Sequence, residues 1–257
     1  MAGIVLLKND GGILPMDGAD GRPDVKTAKL AFIGPAATMT QDLLSAPQYH
    51  GSNTLVDTHS PLMVAQRLGW HVSYAKGCNI CDWVPQGYPN QPCSKGVDGK
   101  SAPMPPPDTS NISAAVAVAK AADVAVLFLG ADQTTEAENF DREHLGLAGA
   151  QEQLLAAVTA VQKNVVVVLV HGGPIAIESA QTSSAVRAIV DAFQPGELGA
   201  DAIMEILDGT ASPSGRMPYT SYFANFTKRD IREGDLALPA LVLFYRAATL
   251  RSLSSAS

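Results

Sequence analysis

Apolar positions along this chain fall into two recurring textures. Short, nearly unbroken runs rich in β-branched residues alternate with longer stretches whose apolar residues recur every three or four positions. Lys29-Leu-Ala-Phe-Ile33 runs straight into Gly34-Pro35, as a strand entering a loop does. Trp70-His-Val-Ser-Tyr74 is a second strand candidate. The segment from Ile112 to Ala122 is alanine-rich and helix-prone, and leads into Asp123-Val-Ala-Val-Leu-Phe-Leu129, ended by Gly130. From Gly149 to Gln162 the spacing of Leu154, Leu155, Val158 and Val161 predicts a helix. Val165 to Val170 is apolar throughout, as expected for a strand covered on both faces. Ala185 to Phe193 reads as another strand, and Leu198 to Leu207 as a helix stopped by Gly209.

Strand and helix repeated in this order predict an α/β fold, a mostly parallel sheet with helices packed on it. Parallel strands push ligand sites to the loops at their carboxyl ends. Chemistry is therefore sought after Gly34, Gly130, His171 and Gln194. Between Cys78 and Asn111 the texture changes to Pro, Gly, Ser and Asn. Elements of the same kind flank this stretch, so residues 78–110 read as a loop insertion within one domain. The last residues, 250–257, are polar and expected to fray.

Composition narrows the picture. Hydrophobic residues make up 46% and charged residues 17% of the 257, enough for a sizeable core. A net charge of −7 without a basic run argues against nucleic-acid or anionic-membrane partners. No segment offers the roughly 18 uninterrupted apolar residues of a membrane span. The first ten residues carry neither a basic region nor a small-residue cleavage site, so no export signal is expected in the chain as written. Cys78, Cys81 and Cys93 fit a disulfide with one thiol left over, or free thiols, better than zinc, for which His71 is the nearest fourth ligand. No metal or cofactor is expected. Asn111-Ile-Ser113 and Asn225-Phe-Thr227 fit the N-glycosylation triplet, a short pattern that also arises by chance.

Gly130-Ala-Asp-Gln-Thr-Thr-Glu136-Ala-Glu138-Asn-Phe-Asp141-Arg142 follows the strand ending at Leu129 and carries four acidic residues and one arginine. A carboxyl there can act as a general acid, and a neighbouring arginine can orient it or hold another carboxylate ionised. Spacing alone fits a solvated acidic loop at least as well. His171-Gly-Gly-Pro174 is similar to the oxyanion loop of esterases, but nothing matches Gly-x-Ser-x-Gly, so a tight turn is the simpler reading. His171 itself stays open between ligand contact and loop histidine. Phosphate-cradling glycine loops are absent from the sequence, which disfavours nucleotide binding.

Taken in order, these segments resemble the second, C-terminal domain of glycoside hydrolase family 3, in particular its β-xylosidase/α-L-arabinofuranosidase branch. The resemblance rests on Gly3-Ile-Val-Leu-Leu-Lys-Asn-Asp-Gly-Gly-Ile-Leu-Pro15, Ala31-Phe-Ile-Gly-Pro35, the 130–142 loop with Leu145 and Gly149-Ala-Gln151, and Val167 to Pro174. Gln194-Pro-Gly196, Leu207-Asp-Gly209 and Pro213-Ser-Gly-Arg-Met-Pro218 complete it. It covers residues 1–220, leaving 221–257 as a divergent, partly irregular tail.

The resemblance implies a layered α/β sandwich with a six-stranded, mostly parallel sheet. It also implies part of a retaining hydrolase that cleaves terminal β-xylosides, α-L-arabinofuranosides or β-glucosides. The nucleophile would lie on a barrel domain normally in cis and missing from this chain, so the chain alone is expected to be inactive. The acid/base would come from the loop here reading Glu136-Ala-Glu138. Glu138 matches by its spacing to Asp141-Arg142, Glu136 by its distance from Gly130, and Glu138 is preferred. Asp132, Asp141 and Arg142 would support the loop, and His171 is a substrate-pocket candidate. Asn139 stands where the family usually has glycine. Relatives are generally secreted or vacuolar. A barrel-less remnant serving as a sugar-binding or interaction module is the alternative.

Overall fold

In the computed structural model, residues 3–40, 58–81, 106–132, 134–135, 144–228 and 242–243 are described. Six strands form one sheet: β1 (Val5–Asn9), β2 (Leu30–Ile33), β3 (Val72–Ala75), β4 (Val124–Gly130), β5 (Val165–Val170) and β6 (Val186–Asp191). Their spatial order is β1-β6-β5-β4-β2-β3. All neighbours pair in parallel except β1, which runs antiparallel to β6. The expected α/β sandwich with a six-stranded, mostly parallel sheet is thus what the chain forms.

The apolar alternation dictates the layering. Phe32, Val126, Phe128, Val168 and Val190 face one side, against α1 (Pro61–Arg67) and α5 (Gly199–Asp208). Ile33, Leu127, Leu129, Val167 and Ile189 face the other, with α2 (Ile112–Ala121), α3 (Gln151–Val161) and α4 (Glu178–Thr182). A strand covered on both faces has no position for a polar residue, hence the unbroken apolar runs of β4 and β5. Leu127, Phe128 and Leu129 are fully buried, each worth roughly 1.5–3 kcal/mol relative to exposure.

β1 was not anticipated as a strand. It alternates Val5 and Leu7 toward one layer with Leu6 toward the other. Lys8 then breaks the apolar run because its ammonium donates to the carbonyls of Gln181 and Ser183, both at 3.0 Å, capping the end of α4. The next residue, Asn9, donates to Leu14 O (2.9 Å) and accepts from Leu14 N (3.1 Å), closing the turn that follows.

α1 begins where Ser60 Oγ accepts from Met63 N at 3.2 Å, with Pro61 in the first turn. α5 ends at Gly209 in the left-handed conformation. A short antiparallel pair, β7 (Ser221–Tyr222) and β8 (Val242–Leu243), lies outside the main sheet. No helix among the described residues is long and apolar enough to cross a membrane.

Candidate functional site

The carboxyl ends of β2, β3 and β4 open onto a cavity of about 350 Å³. Thr38, Met39 and Thr40 come from the segment after β2; Lys76, Asn79 and Cys81 follow β3; Asp132 and Thr134 follow β4. Its polar lining is a carboxylate, an ammonium, an amide and hydroxyls, a set that can both donate to and accept from a polyhydroxylated ligand.

Two close backbone approaches hold these loops in place. Gly34, which follows β2, lies so near Phe128 that a Cβ would collide with its carbonyl oxygen. Gly130, which ends β4, stands in the same relation to Val170 O. Beyond this close approach, the side chain of Gln151 clamps Gly130. Gln151 Oε1 accepts from Gly130 N at 2.8 Å, while Nε2 donates to Gly130 O at 2.8 Å and to Ala148 O at 3.0 Å. The amide is fully buried and supplies the strand end with the partners another strand would have given. The sequence offers one signal for it, a glutamine at the start of an amphipathic helix where an exposed residue is the norm.

After the clamp the chain turns through Ala131 and Asp132. Asp132 Oδ1 accepts from Thr134 N at 2.9 Å and from the Thr134 hydroxyl. Thr135 N and Oγ1 both donate to Asp132 O at 3.0 Å. Asp132 is therefore an organiser of the loop's first turn and a wall of the cavity at once. Glu136, Glu138, Asp141 and Arg142 lie outside the described residues.

His171 sits at the end of β5 and is 1% exposed. Its Nδ1 lies 2.7 Å from Gly173 O, and since a carbonyl can only accept, that nitrogen carries a proton. Nε2 lies 3.0 Å from Asp191 Oδ1, at the end of β6, but the approach is off-line for a hydrogen bond, so this is a close polar contact rather than a directed bond. Asp191 Oδ1 also accepts from Phe193 N at 3.1 Å, and Phe193 holds a left-handed backbone (φ 51°) beside the imidazole. The His171 ring thus meets protein on the sides these contacts define, and it is not among the residues lining the cavity.

A second hollow, about 520 Å³, lies at the first turns of α3 and α4 and contains Glu152 and Glu178. Both carboxylates have structural work there: Glu152 accepts from Ser179 Oγ and Glu178 from Ala224 N, each at 2.6 Å. Cys81 is disulfide-bonded, which removes it from any thiolate metal set, and Cys78 is buried. Among the described residues no cluster of three His, Cys, Asp or Glu could hold a metal ion.

Residues 4–239 match the sequence profile of the glycosyl hydrolase family 3 C-terminal domain. The chain belongs to glycosyl hydrolase family 3. The probable β-D-xylosidase 7 of Arabidopsis thaliana is 36% identical over 234 residues, which are 90% of this chain and 26% of that protein. β-D-xylosidase 3 of the same plant is 35% identical over 230 residues, 88% of this chain and 25% of that protein. A solved family 3 exo-β-xylosidase, in complex with a xylobiose aziridine probe, superposes with a TM-score of 0.69 at 30% identity, covering 88% of this chain and 25% of its own. The family 3 β-glucosidase of Bifidobacterium adolescentis gives 0.61 at 30% identity over 84% of this chain and 27% of its own. The chain thus spans about a quarter of the length of these relatives.

Proposed function

We propose that this family 3 domain serves a retaining glycoside hydrolase that cleaves terminal β-xylosides or α-L-arabinofuranosides, and that it presents the general acid/base from the loop after β4. Residues 1–220 form the sandwich that carries the loop, and 221–257 a divergent tail. Within the loop Glu138 is the preferred proton donor and Glu136 the competitor, with Asp141 and Arg142 ordering the segment and holding a partner carboxylate ionised. The nucleophile comes from a barrel domain. A retaining mechanism places the two carboxyls about 5–5.5 Å apart across the scissile bond, so these 257 residues alone are inert.

One observation carries the reading: the fully buried β4 ends at the clamped Gly130, and the chain leaving it lines a polar cavity at the sheet's carboxyl edge through Asp132 and Thr134. A rigid strand end is what an acid/base needs, because a misplacement of about 1 Å costs on the order of a hundredfold in rate. The relatives named as xylosidases favour a pentose substrate.

The test joins these residues to a family 3 barrel and compares Glu138→Ala with Glu136→Ala on aryl xylosides of graded leaving-group basicity. Loss of the proton donor slows poor leaving groups far more than activated ones, which need little protonation. Uniform loss across the series in both variants removes the assignment. Sugar-induced thermal stabilisation of the chain without turnover in any pairing with a barrel supports instead a binding module.

A further inference from the structure

We propose that this domain is N-glycosylated at Asn111 and Asn225. The inference is independent of the glycosidase reading and starts from two asparagine triplets that the cavity does not use.

In both, the side chains are sorted the way an attached glycan requires. Asn111 and Ser113 are exposed, while Ile112 between them is half-buried against the core that α2 covers. Asn111 occupies the N-cap position of α2, yet its side chain makes no capping hydrogen bond, so substituting its amide takes nothing from the helix. At the second triplet Asn225 and Thr227 are exposed on the 3-10 turn Ala224–Lys228. Phe226 is turned inward and stacks on Tyr222 with ring centroids 4.1 Å apart and planes at 20°. The turn is tied down through the backbone of Ala224, which donates to Glu178 at 2.6 Å, not through Asn225.

The disulfide at Cys81 supplies the second, independent observation. Such bonds form and persist in oxidising compartments such as the secretory lumen, where asparagine glycosylation also takes place. Asn79-Ile80-Cys81 fits the cysteine version of the triplet, but Cys81 is spent in that disulfide and Asn79 is half-buried in the cavity wall. It is excluded on those grounds.

The donor is an oligosaccharide carried on a lipid pyrophosphate. The asparagine amide nitrogen attacks the anomeric carbon, the carbon–oxygen bond to phosphate breaks, the lipid pyrophosphate leaves with the electron pair, and the amide proton passes to a base of the transferase. Nothing is oxidised or reduced.

The test is peptide mapping of the protein purified from its own cells, after enzymatic removal of N-glycans in water labelled with heavy oxygen. That treatment turns each formerly modified asparagine into labelled aspartate. Label is expected at 111 and 225 and not at 79. In parallel, the chain is passed behind a cleavable leader through a eukaryotic secretory pathway, where N111Q and N225Q should each remove one of two mobility steps and the double variant both. Unlabelled asparagine at both positions of the native protein overturns the proposal. So does a secreted chain whose mobility is unchanged by glycan removal.

Discussion

Replacing Gln151 probes how the strand end is held. In Gln151→Ala the N–H and the C=O of Gly130 both lose their partner in a fully buried position, and Ala148 O loses one donor. A buried backbone group left unsatisfied costs about 1–3 kcal/mol, so the two at Gly130 should cost about 2–6 kcal/mol together. That is a large share of the roughly 5–15 kcal/mol that keeps a domain folded. Urea denaturation of the chain should show the midpoint fall with little change in slope. Gln151→Glu sharpens the test, since it keeps the shape but places an acceptor where Nε2 donates to two carbonyls. Burial raises that carboxyl's folded-state pKa above its unfolded value. The folded state then binds more protons between the two pKa values, and stability rises as pH falls from the folded value toward the unfolded one. Gln151→Glu should therefore be crippled at neutral pH and recover in acid, while Gln151→Ala stays flat. A Gln151→Ala variant within about 0.5 kcal/mol of the parent, or a Gln151→Glu variant with no acid recovery, refutes the clamp.

Two further predictions rest on the other polar contacts. Asp191→Ala takes the acceptor from Phe193 N and a close polar neighbour from the buried His171; leaving a buried backbone donor unsatisfied costs about 1–3 kcal/mol, measurable by the same denaturation. Asp191→Asn, which keeps an oxygen for Phe193, should cost less. Asp17 has a lowered pKa, first through the Arg22 guanidinium that binds it at 2.9 and 3.1 Å and then through Ala19 N–H. Its folded pKa lies below the unfolded one, so its contribution is complete above the unfolded carboxylate value and disappears as pH falls through the folded value. Arg22→Ala should flatten that part of the acid limb in a stability-against-pH titration, and an unchanged limb would count against the pairing.

Much of the sandwich was legible because buried parallel strands allow no polar positions. β5 matches the expected Val165–Val170, and β4 lies within a residue of the expected 123–129. Half-buried elements were read less well. β3 spans Val72–Ala75 rather than 70–74, since Trp70 packs into the core before the strand begins. β1, α1 and α4 went unread: an edge strand interrupted by Lys8, and two helices of five to seven residues too short for a periodic signal. Family likeness proposes a proton donor in the loop after β4, local pattern fits an acidic turn at least as well, and Glu136 and Glu138 fall outside the described residues. Sequence alone leaves His171 open between a ligand contact and a loop histidine; its burial against Asp191 depends on a contact between β5 and β6 that spacing along the chain cannot encode. The one signal for Gln151, a glutamine opening an amphipathic helix, does not reveal its partner for the same reason, because the strand end it clamps lies twenty-one positions away.

The most direct measurement of the proton-donor claim is rescue by azide. With these residues joined to a family 3 barrel, Glu138→Ala is expected to stall at the covalent glycosyl intermediate on an activated aryl β-xyloside. Azide, which needs no general base, should restore turnover and yield β-xylosyl azide with the substrate's configuration. If Glu136 is the donor, that variant alone behaves so, and the loop assignment stands. Failure of azide to accelerate either variant, or recovery of the α-azide, would contradict the claim that this loop serves a retaining enzyme as its acid/base.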